Sequence, residues 1–268
     1  MGNIHSTAVD YGDILLMHFV SKRQLLKHLP ALALVLLLIR LGFWQLHRLE
    51  EKRAHNAATL AALEQPGITL TGDPVDPDAL HFRRVRVTGT YDHAASIVWR
   101  NQQFNGIDGV HLLTPLRIAG SDTAVLIDRG WLPQSQAQPA AWDAYALPDE
   151  AVTVAGIARR TQPRPDSPLA PADLPLPGAN RIDAWLRVDI AQIQTQVPHP
   201  LLPIFIQQTP LPGTDATTLP QPVEPGTLDE GPHLGYALQW FTFAGILALI
   251  YALLLRQELK LTENVSDE

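Results

Sequence analysis

Two long apolar runs near the ends of the chain dominate its hydrophobic pattern. The first covers residues 29–46 and is interrupted by Arg40 and Gln45, and the second covers residues 234–255 without a charge. At 1.5 Å per residue, helices of this length span roughly 27–33 Å, which matches the hydrocarbon core of a bilayer. The pattern predicts transmembrane helices at 29–46 and 233–255. A signal peptide is the alternative for the first run, but the charged stretch HRLEEKRAHN that follows it is a poor cleavage site and favours an uncleaved anchor.

Lysine and arginine residues around the second run predict the orientation. None occurs between Arg187 and Leu234, whereas Arg256 and Lys260 follow the run. Because positive residues favour the cytoplasmic side, we expect cytoplasmic tails at 1–28 and 256–268 and an extracytoplasmic segment at 47–232, in the inner cell membrane. The stretch before Met17 contains no lysine or arginine, so Met17 is a second candidate start beside Met1.

The segment between the runs is predicted to be rich in β-structure. Helix-forming residues continue the first helix to about Leu63, before Pro66 and Gly67 end it. Alternating, β-branched stretches then predict seven strands, and Asp189 is a candidate N-cap for one short helix. The strands are predicted at Arg84–Tyr91, Ser96–Arg100, Val110–Ile118, Thr123–Asp128, Ala151–Ala158, Trp185–Asp189 and Ile204–Gln208. Because no long helix separates them, we expect a sandwich or a partly closed barrel, with proline-rich loops at 162–180 and 209–226.

Composition and charge exclude several classes of function. The chain has no cysteine and two methionines, so disulfides, thiolate metal sites, cysteine nucleophiles and a thioether copper relay are excluded. A net charge of −7 without a basic block argues against a nucleic-acid partner. The sequence contains no phosphate-binding loop, dinucleotide-binding glycine motif, nucleophile elbow or H-E-x-x-H pair. We therefore expect that the protein is not an enzyme.

Polar groups of the central segment offer little chemistry. Its histidines lie without ligand spacing at His55, His81, His93, His111 and His199, and each is predicted to be an ordinary surface or strand residue. Asp128, Arg129 and Trp131 in the stretch IDRGWLP invite a catalytic interpretation. An Asp–Arg pair at a strand end before a glycine turn is more typical of structure, and we predict that role.

His233 differs from these residues because it directly precedes the second apolar run. Helical spacing places Tyr236, Ala237 and Trp240 on its side of the helix. One interpretation is an interfacial belt of aromatic residues with a solvated histidine. The other is an axial ligand for a flat macrocycle, because neutral imidazole binds iron and aromatic rings can line a porphyrin.

Polar residues within the runs need partners. Arg40 costs about 3 kcal/mol or more in a bilayer unless it reaches the interface or a partner. Gln45 and Gln239 are placed where the two helices could hydrogen-bond to each other. Such bonds could hold the helices together or contribute to a binding site, and the sequence leaves both interpretations open.

Five ordered blocks of the chain resemble the Surfeit locus protein 1 family. They are FWQLHRLEEK (43–52), FRRVRVTGTYD (82–92), GVHLLTPLR (109–117), VLIDRGWLP (125–133) and HLGYALQWFTFA (233–244), with a weaker echo at NRIDAWLRVDI (180–190). The resemblance covers most of 40–255. The chain departs from the family pattern at Gly231 and Pro232, where an Asn-x pair is expected before the histidine.

The resemblance implies an assembly factor for haem–copper terminal oxidases, that is, for cytochrome c oxidase. Such a factor helps to deliver haem a to subunit I, so the implied partners are subunit I, a haem a synthase and the lipid bilayer. His233 matches the histidine implicated in haem binding in bacterial members. The implied site is therefore His233 as the ligand of the haem iron, with Tyr236 and Trp240 beside it. The alternative is a membrane-tethered scaffold that holds oxidase subunits together without a cofactor, and an enzyme acting on haem or an envelope substrate comes third.

Overall fold

A computed structural model describes residues 22–175, 178–210, 213, 215, 218–223 and 228–266. The expectations about residues 1–16 and a start at Met17 lie outside these residues. The chain divides into a helical unit, residues 1–56 with 228–268, and a second unit, residues 57–227. The helices are α1 (Lys22–Glu64), α2 (Pro77–Leu80), α3 (Ile190–Ile193) and α4 (His233–Ser266). The strands are β1 (Ile68–Leu70), β2 (Arg84–Tyr91), β3 (Ile97–Phe104), β4 (Ile107–Ile118), β5 (Ala124–Pro133), β6 (Val152–Arg160), β7 (Ala184–Trp185) and β8 (Leu201–Gln208).

The helical unit is an antiparallel pair formed by α1 and α4. The buried positions of α1 recur every three or four residues, at Gly42, Gln45 and Leu49, and those of α4 are one heptad apart, at Ala237 and Ala244. This is the 3.5-residue repeat of helices that pack side by side. A Cβ on Gly42 would lie 2.5 Å from the ring of Phe241, so glycine allows the ring to rest on the α1 backbone.

Both helices are long and apolar enough to cross a membrane. The candidate spans are His28–Glu64 and His233–Glu258. In the most apolar 18 residues of each span, only 17% and 6%, respectively, are buried. Large side chains such as Leu37 and Leu249 are therefore exposed, the latter to 61%. The predicted continuation of the first helix is confirmed, because α1 ends at Glu64, just before Pro66 and Gly67.

The second unit is built on a closed five-stranded barrel. The strands pair in the order β2-β6-β8-β5-β4, and β4 returns to β2 through Gly89↔Ile118 and Tyr91↔Leu116. Outside this ring, β1 pairs in parallel with β2, while β3 pairs with β4 and β7 with β3. A Cβ on Gly89 would lie 2.0 Å from the Arg117 carbonyl oxygen, so this glycine permits the close approach that seals the barrel. The mainly-β prediction is confirmed, and the ring is fully rather than partly closed.

All seven predicted strands are present, although most differ from the observed ones at an end: β3 continues to Phe104, β4 begins at Ile107 and β8 begins at Leu201. The prediction ended one strand at Asp128, but β5 continues to Pro133, and its last part pairs with β4 beyond a register shift at Leu112/Leu113. The strand predicted at Trp185–Asp189 is shorter, because the Asp189 carboxylate already accepts a bond from the Gln192 N–H and caps α3. The three-residue strand β1 was not predicted.

Candidate functional site

His233 is the first residue of α4 and is bound to α1 through Gln45. Its Nδ1 lies 2.9 Å from the Gln45 side-chain oxygen Oε1. An amide oxygen can only accept, so Nδ1–H is the donor, and in the neutral form of such a ring Nε2 carries the lone pair. The imidazole is half-buried, and Nε2 has no protein partner within the part of the chain that the structure describes. His233 therefore offers one free ring nitrogen at the start of a candidate membrane span.

A set of contacts to α1 holds the segment that leads into His233. Arg53 donates two bonds to the Glu230 carboxylate, at 2.8 and 2.7 Å. Asn56 donates through Nδ2 to the carbonyl oxygens of Leu228 and Asp229, at 3.2 and 2.9 Å. The hydrogen bond from Arg53 lowers the pKa of Glu230 below its usual value. We call these residues, Arg53, Asn56 and Leu228–Glu230, the clasp, and it places the N-terminus of α4 against α1.

The structure gives the predicted neighbours of His233 different surroundings. Ala237 is 1% exposed and packs in the contact between the two helices, so it is not available to a ligand beside His233. Tyr236 is 47% exposed, while Trp240 is half-buried and makes an edge contact with Phe243 at 6.2 Å between ring centroids. Tyr236 and Trp240 thus lie within two turns of His233 on α4 with aromatic surface available.

Of the two glutamines placed to link the helices, Gln45 does so, and Gln239 makes no bond to α1 within the described residues. Gln45 uses its oxygen for His233, and Gln239 is exposed on α4. Gln45 does link the two helices, as predicted, but its partner is the candidate ligand itself. Arg40 is exposed on α1, and the described residues provide it with no hydrogen-bond or ion-pair partner.

The polar residues of the IDRGWLP stretch serve the barrel core. Asp128 is 2% exposed, and both carboxylate oxygens lie 2.9–3.0 Å from Nδ1 of His111. One of these oxygens also accepts the Gly130 N–H at 3.1 Å. Trp131 is buried as well and exchanges two backbone bonds with Gln221, at 2.7 and 2.8 Å. The structural role predicted for this stretch agrees with these contacts.

Arg129 is also buried, between two tyrosines. Its guanidinium donates to the Tyr145 carbonyl oxygen at 2.6 Å and lies 5.0 Å from the centre of the Tyr91 ring. Burial lowers the pKa of Arg129, and burial raises the pKa of Tyr91 to about 12 although the positive charge of Arg129 opposes that shift. The raised pKa keeps the Tyr91 phenol uncharged at neutral pH.

Two features of these sites were not found from the sequence. The pairing of His111 with Asp128 joins residues on adjacent strands. The alternating pattern of the β4–β5 hairpin could have indicated that these two side chains lie close together. The clasp joins residues about 175 positions apart, and the sequence carries no local signal for it. Among the described residues, no group of three or more histidine and carboxylate side chains is arranged to hold a metal ion.

Comparisons with known proteins find one family. The family model described as the SURF1 family matches residues 32–245. A SURF1-like protein of Monosiga brevicollis is 25% identical over 227 residues, which cover 81% of this chain and 83% of that protein. A SURF1-like protein of Rickettsia felis is 27% identical over 223 residues, covering 81% and 91%. Surfeit locus protein 1 of Takifugu rubripes is 25% identical over 140 residues, covering 46% and 58%.

The matched region begins within α1, includes the whole barrel and ends within α4, so it contains both His233 and Gln45. The resemblance read from the five blocks is confirmed: the chain belongs to the SURF1 family.

Proposed function

We propose that this protein is a membrane-anchored assembly factor for a haem–copper oxidase, and that it holds haem a through His233 for transfer to subunit I. The observation that carries the proposal is the half-buried imidazole at the start of α4, whose Nδ1 is bonded to Gln45 and whose Nε2 is free. Nε2 of a neutral histidine is a common ligand of haem iron.

The surroundings of His233 support a flat, lipophilic ligand. Tyr236 and Trp240 supply aromatic surface on the same helix, and large apolar side chains such as Phe43 on α1 and Leu249 on α4 are exposed along the candidate spans. Haem a combines a planar ring with a long lipophilic tail and two anionic propionates, so it suits a site at the boundary between bilayer and water. When bound, the haem supplies the iron that His233 ligates, and the chain supplies the ligand and its orientation.

A carrier must release its cargo, and this requirement favours a single protein ligand. The chain has no cysteine, and its methionines, Met1 and Met17, lie far along the chain from α4. We assign no catalytic step to the protein, because Asp128, His111 and Arg129 are engaged in barrel contacts.

We further propose that both termini lie in the cytoplasm and that the barrel lies outside the inner cell membrane. The distribution of lysine and arginine around α4 supports this orientation. Reporter fusions at Thr161 and Glu268 test it: activity outside at Thr161 and inside at Glu268 is expected, and any other pairing contradicts the topology.

The function is tested in cells that make haem a but lack this chain. Complementation with the parent is expected to restore haem a in oxidase subunit I. The His233→Gln variant is expected to leave subunit I deficient in haem a. Glutamine keeps a side-chain N–H donor for Gln45 but cannot ligate iron well. His199→Ala is the matched control, since His199 is in the barrel unit, and it should behave as the parent.

The same experiment separates the proposal from the scaffold alternative. A scaffold needs the fold of the chain but not its imidazole. Full haem a content in subunit I with His233→Gln, at equal protein levels, would therefore contradict haem delivery and favour the scaffold.

A further inference from the structure

Gln45 is a buried amide in the apolar contact between α1 and α4. It is 9% exposed, and its contact-face neighbours Gly42 and Leu49 are apolar. An amide in such a place is costly unless its polar atoms are hydrogen-bonded. Its oxygen is bonded to His233 Nδ1, so the amide is held in place by the ring, and the ring by the amide.

We infer that Gln45 is a positioning residue that fixes the tautomer and direction of the His233 ring. The acceptor on Gln45 requires the proton on Nδ1 and leaves the lone pair on Nε2. A neutral imidazole without such an acceptor favours the opposite form, with the proton on Nε2. Without Gln45 the proton would favour Nε2. With Gln45 the proton is on Nδ1, and Nε2 remains free to bind a metal.

The amide also determines how strongly His233 binds. Metal-ligating histidines commonly donate their second N–H to a carboxylate, a carbonyl or water, and a carboxylate makes the ring a stronger ligand. Gln45 supplies a neutral oxygen instead. A neutral partner gives a correctly oriented ligand of moderate strength, which suits a protein that hands its cargo on. This part of the inference rests on the proposed function, whereas the tautomer assignment does not.

Nitrogen NMR on the full chain in detergent, labelled with ¹⁵N-histidine and free of haem, tests the tautomer directly. The His233 resonances are identified by their loss in His233→Gln. The parent is expected to show a protonated Nδ1 and an unprotonated Nε2, and Gln45→Leu is expected to move the proton towards Nε2. Gln239→Leu, which removes an exposed glutamine from α4, is the matched control and should leave the parent form.

Two results overturn the tautomer inference. One is a parent protein that carries its proton on Nε2, and the other is an unchanged tautomer in Gln45→Leu. Gln45→Glu guards against a loss of structure in the leucine variant, because its carboxylate keeps the acceptor and must therefore keep the Nδ1–H form. Loss of that form in Gln45→Glu counts against the inference.

Titration with haem a tests the effect on the ligand. Loss of an outer hydrogen-bond partner typically costs 10- to 100-fold in metal affinity, so Gln45→Leu should raise the Kd by about that factor. Gln45→Glu should bind at least as tightly as the parent and release haem more slowly. An unchanged Kd in Gln45→Leu contradicts the positioning role. If the parent binds no haem while its tautomer depends on Gln45, the proposed function fails and the tautomer assignment stands.

Discussion

In the barrel, His111 and Asp128 are enclosed by strands whose apolar side chains are almost fully buried. In the helical pair, Gln45 and His233 belong to helices whose apolar side chains are largely exposed. Both regions contain a histidine bonded through Nδ1 to a side-chain oxygen. In the barrel the oxygen belongs to a carboxylate and the ring is 6% exposed, while in the helical pair it belongs to an amide and the ring is half-buried.

The difference separates a structural histidine from a candidate ligand. Removing one partner of a buried pair in a packed core leaves the other without compensation, and this destabilises the fold. A half-buried ring at a helix N-terminus makes few packing contacts, so its removal affects binding more than stability. We therefore expect substitutions at His111 and Asp128 to lower the stability of the fold, and substitutions at His233 to reduce haem binding.

The largest expected loss of stability follows from Asp128→Ala. The substitution leaves buried His111 and the Gly130 N–H without their acceptor, and the free energy of unfolding should fall by about 3–5 kcal/mol. Thermal unfolding of the full chain in detergent, followed by the β-sheet circular dichroism signal, measures this change. Asp108→Ala, an exposed position at the start of the same hairpin, should change stability by less than about 0.5 kcal/mol. Similar midpoints for the two variants would remove the distinction between the two histidines.

Alkaline pH should weaken the barrel through Tyr91. Its folded-state pKa of about 12 exceeds the ordinary value of 10.0, so the unfolded chain loses this proton first as the pH rises. The contribution of Tyr91 to the free energy of unfolding is therefore fully present below pH 10. It is lost between pH 10 and 12 and amounts to about 2–3 kcal/mol. Tyr91→Phe should remove this component of the fall, measured as the difference in unfolding free energy between the two proteins. Parallel pH curves for parent and variant would show that Tyr91 titrates normally.

A smaller effect is expected from the close approach at Gly130. Its φ is 125°, and a Cβ there would lie 2.2 Å from the Gln221 carbonyl oxygen. Gly130→Ala should therefore lower stability by about 1–3 kcal/mol and displace residues 218–223 from Trp131. Gly120→Ala is the comparison, because its φ is 79° and the space around it is open. Equal losses in unfolding free energy at both sites would mean that backbone strain alone explains the Gly130 effect.

The smallest effect on stability is expected at the clasp. The Arg53–Glu230 pair is exposed, and exposed ion pairs contribute little to folding. Arg53→Ala should leave the unfolding midpoint nearly unchanged, while the backbone amide of Gly231 becomes more accessible to hydrogen exchange. The Glu230→Ala variant should show the same pattern. A large fall in the midpoint would instead place the clasp among the stabilising elements of the fold.

Much of the architecture could be predicted from the sequence because it is carried by local patterns. The two long helices follow from the apolar runs, and the end of α1 at Glu64 follows from Pro66 and Gly67. Strand β2 follows from its alternating pattern. Closure of the barrel could not be predicted, because it depends on the distant pairing of Gly89 with Ile118. The site was found in part: His233 was singled out by its place before an apolar run and Gln45 as a residue able to bond to the other helix, but their pairing joins residues 188 positions apart and was not predicted.

The central claim is that His233 ligates haem a, and equilibrium titration of the purified full chain with haem a tests it most directly. The Soret absorbance of the parent should saturate at one haem per chain. His233→Gln should lose this saturable component while its circular dichroism and unfolding midpoint match those of the parent, and His199→Ala should titrate as the parent does. A His233→Gln protein that gives the same titration curve as the parent would contradict the assignment of His233 as the ligand.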